Sequence, residues 1–525
     1  MAEFSEKIKK MFGAIAAFFR SLWTEKCKPA FARVGKFFPS ERLRSFGHNI
    51  ACGKINLISI SFLIALIVVL LSAAVMAFST EGVSLTSVLY PDADDYFMDF
   101  FNSMSDSDFP NLYIEYHVIY APILYIPLNL VLHLIPGYEF LEKKEIRNTQ
   151  IGMLFFFLVF TLALIGLAAL LYKEKKGTPL EKVAFIFLMY FSVGMISVID
   201  RGNLIVYAVL FSAMFLSLYK SEKWWVREIS YVCLALAICL KIYPAFLVIL
   251  LIRRKEFTGA LRLFVYWLVL FVTPFLYYGR MAENILAYLQ SVFNFGFDTE
   301  EKSVLVTNGD IWWVEAAAGE TTETVKEVLE QAVDGSTSFS FTGTLQILFA
   351  KFYQNPKTLD VAKPLGNVLL ACCFLFSFFQ DKDWKSATLL SICSITFTSS
   401  VYTYSLAFLI FPCLMFLNEA NFKNPLHWMY AALFVGLFGM FTWEETFYHV
   451  LPIMPNLEAN YYYYLNYANI IERVSLMILT FLLVCEGIFR TILLFEDFVV
   501  WIVRKVQRRK RRKASILNNP YGIRK

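Results

Sequence analysis

The chain is organised around one short stretch, Tyr90-Pro-Asp-Ala-Asp-Asp-Tyr-Phe-Met-Asp-Phe-Phe-Asn-Ser-Met104, which follows the first long hydrophobic run. Its acidic residues fall within eight positions and are Asp92, Asp94, Asp95 and Asp99. Its aromatic residues beside them are Tyr96, Phe97, Phe100 and Phe101. Carboxylates joined to an aromatic face are unusual next to a hydrophobic run, so we treat this stretch as the first candidate for a chemical site. The alternative is a solvated acidic loop that caps a helix.

The composition indicates the environment in which the chain folds. The 525 residues are 58% hydrophobic and only 17% charged, and the mean hydropathy is +0.55. Soluble domains carry about 25% charged residues. Several apolar runs reach roughly 20 residues, which is the length that crosses a hydrocarbon core. The sequence therefore predicts an all-α polytopic membrane protein, with the first run, near residues 56–78, kept as a membrane anchor.

The acidic stretch is predicted to be helical from Asp95 onward. At 100° per residue, one sector of that helix would carry polar side chains and the opposite sector would carry apolar ones. The polar sector would comprise Asp95, Asp99, Asn102 and Asp106. The apolar sector would comprise Phe97, Phe100, Phe101 and Met104. We expect such a helix to lie along the membrane surface, with its rings in lipid or protein and its carboxylates facing an aqueous cavity.

Basic residues at the two ends of the chain indicate its orientation. Residues 1–54 are basic with amphipathic helical spacing, and residues 504–525 form a basic tail. The positive-inside rule places both termini in the cytoplasm of a plasma membrane protein. We expect both regions to contact anionic membrane lipids rather than nucleic acid. The transmembrane domain is predicted at 55–503, with external loops at 79–150 and 279–364.

Two hydrophobic segments are predicted to be broken. The segment 113–135 contains Pro122 and Pro127 and is expected to be a partly inserted, re-entrant piece, because a full span would place the lysines after Tyr172 outside. The segment 229–252 begins and ends beside basic residues. It is therefore expected to form two short helices that meet at Lys241-Ile-Tyr-Pro244.

Polar residues gather at the predicted outer ends of the helices. Arg201 and Lys241 could bind an anionic lipid phosphate, Arg through a bidentate fork and Lys as a point charge. An aspartate of the acidic stretch could accept a proton from an attacking hydroxyl. Structural interpretations compete: Arg201 could pair with Asp200, and Lys241 could cap carbonyls freed by Pro244. His117, Tyr402 and Tyr404 fit an aromatic belt at the interface as well as a site.

These landmarks together resemble the GT-C superfamily of integral-membrane glycosyltransferases, and more closely glycosyltransferase family 87. The family's studied members include polyprenyl-phosphate-mannose-dependent mannosyltransferases. The resemblance runs in order from about residue 55 to 415. Its landmarks are the acidic stretch, the Tyr-rich segment leading to Ala121-Pro122 and Pro127, Arg201-Gly202-Asn203, Lys241-Ile-Tyr-Pro244 and Ser338-Phe-Ser-Phe-Thr-Gly343.

The resemblance implies a GT-C fold with roughly 10–13 transmembrane helices and juxtamembrane helices in the first external loop. It also implies an inverting transfer of a hexose, with mannose as the first candidate, from a polyprenyl-phosphate-sugar donor to a lipid or glycan acceptor outside the membrane. Asp95 matches the family's catalytic base best, with Asp94 and Asp99 as alternatives. Arg201 and Lys241 match positions that face the donor phosphate. The substrate-binding candidates are Asn203, His117, Tyr116, Tyr243, Tyr402 and Tyr404.

Two departures from the family pattern bear on the sugar. Tyr402 and Tyr404 stand where a histidine is expected, and Ala121 replaces a proline that often precedes Pro122. Neither a nucleotide motif nor a metal spacing occurs, so we expect no obligatory cofactor, although a carboxylate cluster could hold a divalent cation. The nine cysteines show no disulfide framework. A transporter or flippase of lipid-linked solutes, and a polysaccharide polymerase or ligase, are the competing functions.

Overall fold

The computed structural model describes residues 97–109, 111–114, 120–297, 339–345, 361–397, 403–438 and 467–518. In these ranges the regular structure is helical, and no β-strand occurs. The expectation of an all-α fold is therefore confirmed. The predicted first membrane anchor, the basic N-terminal region and most of the long loop at 279–364 lie outside these ranges.

The described helices fall into three groups along the chain. The first group is α1 (Met98–Asp106), α2 (Pro122–Leu132), α3 (Lys143–Asn148), α4 (Gln150–Glu174), α5 (Pro179–Tyr190) and α6 (Val193–Asp200). The second is α7 (Ile205–Leu218), α8 (Trp224–Leu240), α9 (Ile249–Arg253), α10 (Phe257–Val272) and α11 (Met281–Phe297). The third is α12 (Ala362–Ser377), α13 (Asp383–Thr396), α14 (Ile410–Glu419), α15 (Pro425–Leu437) and α16 (Tyr467–Asn518). Short 3-10 helices lie at Tyr138–Phe140, Tyr243–Val248, Thr273–Tyr278 and Thr403–Leu409.

Three helical segments of the described part are long and apolar enough to cross a membrane: Gln150–Glu174, Phe257–Tyr278 and Ile470–Glu496. The helices α5 and α6 form a fourth span if the pair is counted as one, with a bend of 59° between them. Most of the remaining apolar helices have 10–17 residues, which is short of the roughly 20 that a straight span needs. The bundle is thus a polytopic membrane protein in which many membrane-embedded helices are interrupted.

One end of the bundle is basic, and we call it the basic end. It comprises the turns at 174–178, 219–223 and 380–382. Lys220 and Arg253 both pair with Asp383, the latter at 2.7 Å between Nη1 and Oδ1. Lys385 pairs with Glu486 of α16 at 2.7 Å. The segments that the sequence assigned to the cytoplasm therefore share one end of the molecule. That this end faces the cytoplasm stays a prediction.

The centre of the bundle is α13, which is buried from Ser386 to Thr396. Its small hydroxyl side chains let neighbouring backbones approach closely, as is common in membrane helices. The Ser394 hydroxyl donates to the carbonyl of Tyr243 at 2.9 Å. This bond fixes the chain where α8 ends at Leu240, Lys241 is extended and a 3-10 helix follows. The predicted break at Lys241-Ile-Tyr-Pro244 is confirmed.

The other predicted proline break is only half right. Pro122 occupies the first turn of α2, where its missing N–H costs nothing. Pro127 lies inside α2 without ending it, so the expected break there is wrong. Eleven residues span about 16 Å, so α2 is too short to cross a bilayer.

The final helix α16 continues past residue 503 to Asn518, so the basic tail begins within a helix.

The segment Phe339–Leu345, which includes most of the Ser338–Gly343 landmark, is held by a residue that the sequence did not single out. Arg473 is fully buried, and its guanidinium carbon lies 4.5 Å from the centroid of the Phe339 ring. Its Nη1 donates to the Thr344 hydroxyl at 3.3 Å. A buried arginine needs such contacts because desolvation of its charge is costly. Arg473 thus anchors the returning end of the long loop to α16.

Candidate functional site

The acidic stretch is bound to the turn between α6 and α7. Phe97 donates its backbone N–H to the Asp200 carbonyl at 2.7 Å, and Asp99 donates to the Arg201 carbonyl at 3.0 Å. Two backbone hydrogen bonds in a row fix both the position and the direction of the incoming chain. The acidic stretch and the Arg201-Gly202-Asn203 landmark, distant in sequence, are therefore one structural unit. We call the end of the bundle that holds this unit the site end.

The helix of the acidic stretch begins later than predicted. Phe97 has a φ of 60°, in the left-handed region, and α1 starts at Met98. A regular helix cannot pass through a left-handed residue, so the predicted helix is interrupted at Phe97. Asp95 itself lies outside the described residues. The opposite face is as predicted, because Phe100, Phe101 and Met104 are fully buried. The rings of Phe100 and Phe101 pack on α4. The ring centroids of Phe100 and Phe156, for example, lie 5.1 Å apart.

Gly202 allows the close approach of the two segments. Its φ is +62°, and a Cβ at this position would lie 2.9 Å from the Phe97 Cα and 3.1 Å from the Phe97 Cβ. Both a left-handed backbone and contact with another backbone exclude a side chain. The glycine of the family-like landmark is thus required by the docking of the acidic stretch.

We predict that Gly202→Ala displaces the docked stretch and lowers catalytic activity about 100-fold, because strain and backbone overlap together cost about 3 kcal/mol. Gly137→Ala is the matched control, since Gly137 has a φ of +69° but nothing lies within 4 Å of its Cβ position. Activity and melting temperature of both variants should be measured side by side. Equal behaviour of the two variants would show that backbone strain, and not the contact with Phe97, explains the effect.

Asp99 is fully engaged by side chains of the α6–α7 turn. Arg201 binds it through Nε at 3.1 Å to both carboxylate oxygens and through Nη2 at 2.7 Å to Oδ1. Asn203 donates from Nδ2 to Asp99 Oδ2 at 2.7 Å. Asn203 in turn accepts from the Ile205 N–H at 2.9 Å and so satisfies a free donor of α7. The carboxylate of Asp99 therefore joins the acidic stretch to the start of α7.

Lys241 lies in the extended break between α8 and the following 3-10 helix, and it is 5% exposed. Its Nζ lies 4.1 Å from the centroid of the Tyr120 ring and 5.8 Å from that of Tyr243. Within the described part of the chain, Nζ forms neither an ion pair nor a hydrogen bond to a carbonyl near Pro244. Two aromatic faces compensate an ammonium only in part, so the buried charge at Lys241 is suited to receive an anion.

Tyr120 lies between Lys241 and the cluster of Asp99, Arg201 and Asn203. Asn203, Asp99 and Arg201 all lie close enough to the Tyr120 hydroxyl to act on it electrostatically. Burial raises the pKa of this hydroxyl, and the Asp99 carboxylate raises it further, so Tyr120 keeps its proton at neutral pH. The Tyr113 hydroxyl donates to the Tyr120 carbonyl at 3.1 Å. The sequence analysis missed Tyr120; its place directly before Ala121-Pro122 was the available signal.

The structure brings together five of the predicted site residues, which are Asp99, Arg201, Asn203, Lys241 and Tyr243. Tyr404 is buried in the 3-10 helix Thr403–Leu409, which packs against α6. The remaining candidates lie outside the described residues and are Asp94, Asp95, Tyr116, His117 and Tyr402. Pairing with Asp200 was the competing structural interpretation of Arg201; the structure shows an ion pair of Arg201 with Asp99 at 2.7 Å.

Within the described residues, no group of three or more His, Cys, Asp or Glu side chains is arranged to hold a metal ion. The described site is instead built from cations, an amide, phenol groups and one carboxylate. Such a set can bind an anionic group and orient hydroxyls through hydrogen bonds.

Comparison with known proteins shows which family part of the chain resembles. Residues 121–325 match the model of glycosyltransferase family 87. No curated protein and no solved structure matched the chain. The matched range contains Arg201, Asn203, Lys241 and Tyr243, and it begins one residue after Tyr120. Over this range the chain is therefore similar to glycosyltransferase family 87, and the match supports its assignment to this family of membrane glycosyltransferases.

Proposed function

We propose that the chain transfers a hexose, with mannose as the first candidate, from a polyprenyl-phosphate-sugar donor to a lipid or glycan acceptor. The transfer takes place with inversion at the extracytoplasmic face of the plasma membrane, in a GT-C fold whose termini are cytoplasmic. The main support for this proposal is that the ammonium group of Lys241 is buried and has no carboxylate partner in the described part of the chain. It lies beside the turn to which the acidic stretch is docked.

The donor phosphate is the anion that Lys241 would receive. A lipid-linked sugar phosphate brings its own leaving group, so the site needs a cation for the developing phosphate charge and no nucleotide pocket. Arg201 adds positive charge nearby, although Asp99 already neutralises part of it. Lys241 is therefore the principal phosphate ligand in this proposal, and Arg201 is a supporting one.

The catalytic base in this proposal is Asp95, because hydrogen bonds from Arg201 and Asn203 already occupy both carboxylate oxygens of Asp99. Asp95 precedes the docked residue Phe97 by two positions, and two residues of chain span at most about 7 Å. Asp94 is the alternative base. Asp99 takes the role of an anchor instead.

The proposed reaction is a single displacement. The acceptor hydroxyl gives its proton to the Asp95 carboxylate, and its oxygen forms a bond to the anomeric carbon of the donor sugar. The bond between that carbon and the phosphate oxygen breaks, and its electron pair stays on the phosphate beside Lys241. Attack opposite to the leaving group inverts the anomeric centre. No metal or other cofactor is required for this balance.

The remaining candidates are proposed to contact the sugars. Tyr243 shares the Lys241 site and can place its ring against the donor. Tyr116, His117, Tyr402 and Tyr404 are proposed for the donor or acceptor hydroxyls. Asn203 acts mainly by holding Asp99 and Tyr120. Membrane lipids surround the bundle and bind the basic ends of the chain.

A comparison of donors tests the proposal. The purified full chain in lipid nanodiscs should transfer sugar from polyprenyl-monophosphate-mannose or polyprenyl-monophosphate-glucose to a glycolipid extract. It should not use a sugar nucleotide or a sugar linked through a polyprenyl diphosphate. Release of sugar from a diphosphate carrier alone would support a polymerase or ligase and would overturn the proposed donor. Movement of labelled lipid-linked sugar across the bilayer without transfer would support a flippase.

A further inference from the structure

The residue Tyr120 has two partners that belong to different parts of the site. Its ring lies under Lys241 Nζ at 4.1 Å, which is within the distance of a cation–π interaction. Its hydroxyl lies close enough to Asn203, Asp99 and Arg201 for these groups to act on it electrostatically, and the Asn203 amide donates to Asp99 at 2.7 Å. The side chains Lys241, Tyr120, Asn203, Asp99 and Arg201 thus lie next to one another in a series.

The local structure holds Tyr120 in this place from both sides. The Tyr113 hydroxyl donates to its carbonyl at 3.1 Å, and Pro122 starts α2 two residues later. Its ring also packs edge-on against the buried Tyr125 at 6.3 Å. A side chain fixed at its backbone and ring can transmit position between the groups at its two ends.

Without an aromatic face, Lys241 would be an expensive group to bury. A buried ammonium that lacks an anion loses its hydration and gains no ion pair in exchange. The Tyr120 ring offers the quadrupole that offsets part of this loss, while the remaining N–H groups of Lys241 stay available to an anion. The ring therefore keeps the ammonium in the site before the donor arrives.

We propose that Tyr120 is a positioning residue, whose ring holds Lys241 for the donor phosphate and whose hydroxyl joins that cation to the docked acidic stretch. The role of the hydroxyl rests on the proposed function, whereas the role of the ring does not. The ring is assigned to binding of a lipid monophosphate. The hydroxyl is assigned to the alignment of base and leaving group, which affects turnover rather than affinity.

The first test measures binding and needs no sugar transfer. The full chain in nanodiscs is titrated with dodecyl phosphate, a soluble alkyl monophosphate, by calorimetry. Tyr120→Leu is expected to weaken binding about tenfold, whereas Tyr120→Phe keeps the ring and stays within about twofold of the wild type. In a Lys241→Met background, Tyr120→Leu should cause less than about a twofold further change. A full tenfold loss in that background, or no loss in the native one, would overturn the role of the ring.

A second set of variants distinguishes a loss of the cation–π contact from misfolding. Fluorinated phenylalanines at position 120 keep the shape of the ring and withdraw charge from its face. Affinity for dodecyl phosphate should fall stepwise with each fluorine, and a flat response would overturn the assignment. The controls are Tyr125→Phe, in the same aromatic cluster, and Tyr172→Leu, which removes a ring 4.9 Å from Lys182 on another part of the bundle. Both controls should bind like the wild type.

The hydroxyl is tested by steady-state kinetics with the polyprenyl-phosphate-sugar donor. Tyr120→Phe is expected to lower kcat about fivefold at unchanged KM, because one hydrogen bond of the alignment is lost. A rise in KM with unchanged kcat would assign the hydroxyl to binding and overturn this half. If the wild type binds dodecyl phosphate but transfers no sugar, the proposed function fails while the binding result still decides the role of the ring.

Discussion

Asp95→Asn is expected to lower kcat for sugar transfer about 1,000-fold, because the acceptor hydroxyl then loses the group that takes its proton. General bases contribute roughly 100- to 10,000-fold to such reactions. Asparagine keeps the shape of the side chain, so the melting temperature of the variant should equal that of the wild type. The acidic limb of the pH–rate profile, which reports ionisation of the base, should disappear with the activity.

The comparison with Asp99→Asn makes this prediction specific. Asp99 accepts four hydrogen bonds from Arg201 and Asn203, so its replacement leaves a partly buried guanidinium without its counter-ion. That variant should lose stability together with activity. Glu139→Gln, at an exposed position between α2 and α3, is the control and should change neither. A stable, fully active Asp95→Asn variant would contradict the assignment and leave Asp94 as the candidate.

Lys241→Met is expected to lower kcat/KM for the donor about 300-fold, because the leaving phosphate loses its principal cation. Removal of one preorganised charge-stabilising group costs roughly 100- to 1,000-fold in comparable sites. Methionine fills a similar volume without a charge that must be buried. The variant should therefore be at least as thermally stable as the wild type in the absence of ligand, which is the behaviour of a residue kept for function rather than for folding.

Lys182→Met is the matched control for this prediction. Lys182 also lies over a tyrosine ring, at 4.9 Å from Tyr172, but near the start of α5 rather than at the site. It should retain wild-type kcat/KM. A Lys241→Met variant that loses stability and keeps its donor affinity would show that the lysine has a structural role only.

The sequence predicted the break at Lys241 because the segment 229–252 begins and ends beside basic residues, so both of its ends were expected on the same side of the membrane. It also predicted which face of α1 is apolar, because Phe100, Phe101 and Met104 repeat with helical spacing. The same rule failed at Phe97, whose backbone is left-handed and is in contact with Asp200 and Gly202. Those contacts join residues that are about 100 positions apart in sequence.

The sequence alone could not predict which residues pair with the charged side chains. Asp99 and Arg201 are separated by 102 positions, and Arg473 contacts Thr344 across 129. Nothing in the local pattern distinguishes one partner from another over such distances. Tyr120 was missed for a different reason. It is one of several tyrosines in its segment, and only the fold shows which ring lies under Lys241.

The most direct test of the account is a structure of the full chain bound to a polyprenyl phosphate, the product that the proposed reaction leaves behind. We expect the phosphate to lie about 3 Å from Lys241 Nζ, within hydrogen-bond distance, with the Tyr120 ring still beneath the ammonium. A phosphate bound elsewhere, with Lys241 unchanged and without contact to it, would contradict the account.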